Sequence, residues 1–126
     1  MNDEEYYKKI EEYYLRGKII AICEAVLAEE IGVIAASRRL NSLGLQLLDG
    51  HDNDFSTFRG VDTETDDLPV DIERKNWDAE ALKRKDVEIA EAEALYKDHV
   101  TEACKKLIER FCDLEELSKS RWKLNR

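Results

Sequence analysis

Asp78–Cys112, DAEALKRKDVEIAEAEALYKDHVTEACKKLIERFC, runs for 35 residues without a glycine or a proline. Leu82, Ile89, Ala92, Tyr96, Val100, Cys104, Leu107, Ile108 and Phe111 recur along it at helical spacings, one apolar stripe on an otherwise charged rod. The stripe thins across Lys83-Arg84-Lys85-Asp86, the expected place for a break. The stretch therefore reads as one long helix or a broken helix pair.

Upstream the same period recurs. Tyr6, Tyr7, Ile10, Tyr13 and Tyr14 lie on one face of a helix over Asp3–Arg16, which Gly17 is expected to kink or end. Ile19, Ile20, Ile22, Cys23, Val26 and Leu27 give a second helix, or a continuation, to about Glu29. A third begins near Ile31, runs through Val33, Ile34, Ser37, Leu40, Leu43 and Leu47, and stops at Asp49-Gly50. Asp54 is placed to cap a short helix with Phe55, Phe58 and Val61 facing inward. Leu68-Pro69 forces an extended conformation, because proline disfavours helix for the residue before it. Pro69–Asn76 then reads as a surface connection held by Leu68 and Val70 at one end and by Trp77, a buried anchor, at the other. Leu114 and Leu117 suggest a last turn of helix. No segment alternates with the period of a strand. The expectation is an all-α protein: a single helical domain over residues 1–126, a compact bundle of five to seven helices with the long helix at its C-terminal end. Residues 118–126 form a basic tail carrying Lys119, Arg121, Lys123 and Arg126.

Charge is unevenly placed. Of the formal net charge of −9, Asp49–Asp78 carries seven units, ten carboxylates against Arg59, Arg74 and Lys75. Such a field repels phosphates and argues against nucleic acid, while it attracts cations and basic proteins. No apolar run reaches the ~20 residues that span a bilayer, so no membrane is expected. Met1–Glu5 lacks the basic flank and apolar core of a signal peptide; a cytoplasmic site of action is expected. Cys23, Cys104 and Cys112 are odd in number and lack a metal-type spacing, so they read as small hydrophobes.

Several segments together carry a resemblance: GVIAASRRLNSL (Gly32–Leu43), DFSTFRGVDTETDDLPV (Asp54–Val70), RKNW (Arg74–Trp77), VEIAEAEALY (Val87–Tyr96) and CKKLIERF (Cys104–Phe111). Across Ile19–Phe111 the chain resembles a family of small bacterial helical proteins of unknown function with a (V/I)DxETDxLP pattern followed by a tryptophan. The resemblance implies a helical domain and no assigned activity. The tyrosine-rich first helix and the basic tail lie outside that pattern. In size, fold class and charge the chain is also similar to bacterial immunity proteins that block nuclease toxins.

Two groups of residues are singled out. Asp62, Glu64, Asp66, Pro69, Arg74 and Trp77 form a structural motif in which carboxylates bond loop amides or an arginine, with Arg38 or Arg74 as the favoured partner. Asp49, Asp52, Asp54, Asp67, Asp71 and Glu73 are the candidate partner-binding carboxylates; of these Asp52, Asp67 and Asp71 are expected to be free of internal pairs. No loop carries the glycine and terminal glutamate of an EF-hand, and no metal is expected. His99 and Glu102 stand in the reverse order of a di-iron Glu-x-x-His pair with no second copy. His51 and His99 are the only histidines, and the sequence offers no Ser-His-Asp or Cys-His constellation. No catalytic residue and no cofactor is expected. Trp122 reads either as docked on the bundle or as a partner contact.

The functional expectation is a non-catalytic acidic protein-binding domain, most concretely an immunity-type inhibitor of a basic, nuclease-like toxin encoded next door. The alternatives are a metal-dependent or small-molecule enzyme using Asp62, Glu64 and Asp66, or a homo-oligomeric regulatory module assembled through the tyrosine-rich helix. A monomer or weak homodimer is expected.

Overall fold

The computed structural model describes residues 2–48 and 50–112. Asp49, the Leu114–Leu117 turn, Trp122 and the basic tail lie outside them. Among the described residues the chain is all-α, with four α-helices: α1 (Asp3–Leu27), α2 (Val33–Leu47), α3 (Ser56–Glu64) and α4 (Ala79–Phe111). Two 3-10 segments, Asn53–Phe55 and Asp71–Asn76, lead into α3 and α4.

α1 starts where Asn2 accepts a bond from the Glu5 amide at 2.8 Å, with Asp3, Glu4 and Glu5 in the first turn. Both features suit the positive end of the helix dipole. Gly17 does not end it: α1 is one helix of 25 residues. A Cβ at Gly17 would meet nothing within 4 Å, so no packing demand acts there. α1 ends in a Schellman turn, with the Glu30 amide on the Ala25 carbonyl and the Glu29 amide on that of Val26. Glu29, at φ 58°, takes the left-handed position that glycine usually fills.

α4 is unbroken through Lys83–Asp86, because the 3-10 segment before it folds back on that stretch. Arg74 donates to both carboxylate oxygens of Asp86, and Lys85 lies by Asp67. Asp78 caps the helix by accepting from the Ala81 amide at 2.8 Å.

α1 and α4 pack antiparallel: Glu29 meets Lys97 at one end, and the Arg16 guanidinium lies 5.8 Å from the Phe111 ring centroid at the other. α2 and α3 close the bundle. The core is Ile19, Cys23, Val26, Ala36, Leu40, Phe55, Phe58, Val61, Val100, Cys104 and Leu107 with their neighbours, all apolar side chains whose burial supplies the main driving force. Phe55 and Phe58 meet edge-to-face, centroids 6.0 Å apart. Phe55 also seats on Gly44, where a Cβ would fall 2.4 Å from the ring.

Within the two long helices, burial is confined to the C-terminal part of each. No residue of α1 before Leu15 is buried, and none of α4 before Val100. The earlier part of α4 is instead braced at its edge by Arg74, Asp67 and the start of α2, with Tyr96 half-buried against the core.

Candidate functional site

The acidic connection is built around Arg38 of α2. This guanidinium donates to the backbone carbonyls of Thr65 and of Leu68, the latter at 2.7 Å, and to the Glu73 carboxylate; its Nε lies 3.8 Å from Asp62. Thr65 caps the C-terminus of α3, and its carbonyl accepts from the Leu68 amide at 3.0 Å as well as from Arg38, so the guanidinium braces the turn that follows the helix. Thr65 itself is buried, its hydroxyl donating to the Val61 carbonyl at 2.6 Å. Asn41 holds Asp62 from the same helix at 3.0 Å. Leu68 and Pro69 are buried beneath this network, and the Arg74 guanidinium donates to the Pro69 carbonyl as well as to Asp86.

The candidate partner-binding carboxylates are largely engaged within the chain. Asp52 and Asp54 converge on Arg110 of α4, at 2.9 and 2.8 Å. The hydrogen bond from Arg110 holds the Asp52 carboxyl below its ordinary value of 3.8. Asp67 pairs with Lys85, Asp71 with Arg39 and Glu73 with Arg38. The expectation that Asp52, Asp67 and Asp71 lack internal partners is thereby corrected. The cations that answer them sit on α2 and α4, remote in sequence. The cap of the short segment is corrected too: Asp52, not Asp54, accepts the first amide, that of Asp54.

Asp62, Glu64 and Asp66 do not converge. Asp62 faces α2, whereas Glu64 and Asp66 are exposed and form no ion pair among the described residues. No three His, Cys, Asp or Glu side chains among the described residues stand so as to hold a metal ion. His99 is exposed on α4. Cys23 and Cys104 are fully buried on facing helices; a hydrogen bond between the two thiols, with burial, pushes Cys23 far above the ordinary thiol range.

Trp77 is not the buried anchor expected of it. The side chain is 38% exposed, and Lys85 Nζ lies 6.0 Å from its ring centroid. Ile72, in the middle of the acidic connection, is 74% exposed. The two put large apolar side chains in water on the segment that leads into α4. Leu68 and Pro69 take the inward positions, which leaves the tryptophan outside.

A contact that the sequence analysis does not single out joins α4 to the start of α2. Gly32 caps α2 without a side chain. The carboxylate of Glu93, sixty residues away, accepts from the amides of Val33 at 2.7 Å and Ile34 at 3.2 Å. It lies in a cleft of about 520 Å³ lined by Val26, Glu29, Ile31, Lys97 and Thr101 among others. The local sign was a helix beginning at glycine with no Ser, Thr, Asp or Asn to cap it.

The fold and this arrangement define a helical domain many of whose polar groups brace its own connections, with Ile72 and Trp77 exposed among them. The chain belongs to the DUF2489 family, proteins of unknown function, whose family model matches residues 3–107. The match includes the tyrosine-rich half of α1, which the resemblance had left outside. No curated protein and no solved structure matches the chain. Among the described residues no helix is long and apolar enough to cross a membrane.

Proposed function

We propose that this domain is a non-catalytic protein-binding module whose docking face is the corner formed by the Asp71–Asn76 segment and the start of α4. The observation that carries the reading is the exposure of Ile72 and Trp77 within the acidic connection. Large apolar side chains left in water on a braced backbone are the usual anchors of a binding surface, and tryptophan leads among them. The ion pairs around them fix the backbone that presents them, so little ordering is needed on binding.

The partner in this reading is a basic protein. The net charge of −9 attracts it at long range, and exposed carboxylates such as Glu64 and Asp66 line its approach. The finer form is an immunity-type inhibitor of a basic, nuclease-like toxin encoded beside this chain; size, helical fold and charge support it. The carboxylates already paired to Arg38, Arg39, Lys85 and Arg110 contribute field rather than direct contacts.

The test is calorimetric titration of the purified basic protein encoded next door into this chain and into its Ile72→Asp and Trp77→Ala variants. Expected are binding to the parent chain and at least tenfold weaker binding by each variant, with unchanged unfolding midpoints. Absence of binding, or variants that bind as the parent does, would overturn the reading.

A further inference from the structure

α1 carries a second apolar stripe that the bundle does not use. At 100° per residue, Asp3, Tyr6, Tyr7, Ile10, Tyr13, Tyr14 and Gly17 share one side of the helix, while Leu15, Ile19, Cys23 and Val26 lie on the opposite, buried side. The spacing is a heptad: positions 3, 10 and 17 recur with 6 and 13, and with 7 and 14. Tyr6, Tyr7 and Tyr14 are all exposed, and the rings pair edge-to-face as Tyr6–Tyr7 and Tyr13–Tyr14, each with centroids 5.8 Å apart. The open space at Gly17 belongs to the same side. An amphipathic helix gains no stability from such a stripe in water; the stripe has value where something covers it.

We infer that the occupant is a second copy of this chain, its α1 laid antiparallel along the first and centred on Ile10. The sequence is suited to that register. Ile10 then meets Ile10 of the partner subunit on the two-fold axis. Tyr6 and Tyr7 fall beside Tyr13 and Tyr14 of the other copy, so each aromatic pair meets an aromatic pair. Position 3 of one copy lies by position 17 of the other, where the missing side chain lets the helices approach.

Charge fixes the direction. The first turn is acidic, with Asp3, Glu4 and Glu5, and antiparallel pairing brings it to Lys18. Lys18 stands at the rim of a groove of about 530 Å³ between α1 and α2, lined by Ala21, Ile22 and Leu43 with Arg39 on the far side. The groove is mostly apolar with a cationic edge, matched to the acidic end of a helix. Arg39 donates to Asp71 at 2.8 Å, and a guanidinium carries five N–H donors, so it has capacity for such a contact. A parallel pair would set the acidic turns against each other. Lys9 and Glu11 each meet their own copy at the flanks, a like-charge cost that keeps the dimer weak.

Sedimentation velocity across a concentration series tests this, with the full chain. A reversible dimer is expected, lost in Ile10→Asp and in Lys18→Glu while unfolding midpoints stay unchanged. The charge-swapped triple variant Asp3→Lys/Glu4→Lys/Lys18→Glu is expected to recover it. In a Cys112→Ser background, Ile10→Cys should form a disulfide-linked dimer under mild oxidation and Asp3→Cys should not, since only position 10 lies on the axis. A monomer at every concentration would overturn the inference, as would a dimer indifferent to Ile10→Asp or cross-linking of Asp3→Cys in preference to Ile10→Cys. Ile72→Asp and Trp77→Ala should leave self-association unchanged, which separates this result from that for the docking corner.

Discussion

The carboxylate of Glu93 fills the space that a side chain at Gly32 would occupy: a Cβ there would lie 2.7 Å from Glu93 Oε1. The two residues form one device, a helix N-terminus stripped of its own cap so that another helix can supply a charged one. Glu93→Ala is expected to cost about 1–2 kcal/mol, the range of a lost N-cap. Gly32→Ser alone should destabilise by crowding Glu93. Combined with Glu93→Ala it should recover part of the loss, because serine then caps α2 locally. Urea unfolding of the four proteins measures the non-additivity; equal and additive effects would contradict the device.

Arg38 joins two carbonyls and two carboxylates spread over residues 62–73. Its replacement takes the guanidinium donor from the Leu68 carbonyl in a part-buried place and leaves the Thr65 carbonyl with the Leu68 amide alone. Arg38→Ala should cost about 2–3 kcal/mol, the scale of hydrogen bonds to a charged group. Arg38→Lys should recover little, since a lysine presents a point charge and not a planar fork. Equal midpoints for the lysine variant and the parent would show that charge alone suffices.

Gly44→Ala gains about 1 kcal/mol of helix propensity in isolation. Here the added methyl meets the Phe55 ring, which is itself buried against Phe58. A net loss of about 1–3 kcal/mol is expected from overpacking, with altered near-ultraviolet circular dichroism. A stabilised variant would mean that Phe55 moves freely.

Trp77→Ala should shift stability by under about 1 kcal/mol, the value of an exposed cation–π contact with little burial. A buried tryptophan would cost about 3–5 kcal/mol. The two outcomes are well separated in a urea titration.

The ion pairs give stability a defined dependence on pH. Hydrogen bonds from Arg110, Arg74 and Lys97 hold Asp52, Asp86 and Glu29 below their ordinary values. Groups depressed in the folded state stabilise above their unfolded values of 3.8 and 4.5, and that contribution disappears as pH falls through the folded values. Lys85 and Lys97 are raised, chiefly by bonds to Glu88 and Glu29, so their contribution is full below 10.5 and is lost above it. Unfolding midpoints should hold a plateau between these limits and decline beyond both. Added salt should flatten the profile, as expected for exposed pairs.

Much of the helical frame is legible in the residues. The stripe from Val100 to Phe111, the inward set Phe55, Phe58 and Val61, and the end of helix before Leu68-Pro69 all follow from period and backbone restriction. Gly17 misleads because its helix continues on the strength of core contacts made by Ile19, Ile20 and Cys23. What lies between helices is less legible. Glu93 on the amides of α2, and Arg38 and Arg110 on the acidic connection, join residues 27 to 60 positions apart, and no local pattern encodes such pairs. Trp77 shows the same limit: its size argues for burial, but Leu68 and Pro69 already fill the inward positions.

α4 is one helix by its hydrogen bonds and two by its cooperativity. From Ala79 to His99 none of its residues is buried, whereas Val100, Cys104, Leu107 and Phe111 lie in the core. Opening the first half breaks peripheral ion pairs and backbone bonds; opening the second requires the whole bundle to come apart. Native-state hydrogen exchange should therefore divide the helix near Val100, with amides before it exchanging through local fluctuations and those after it only through global unfolding. A perturbation at the docking corner would then loosen the outer half of α4 first, and the core would register it as a change in exchange rates toward the Glu93 contact, with no shift in the global midpoint.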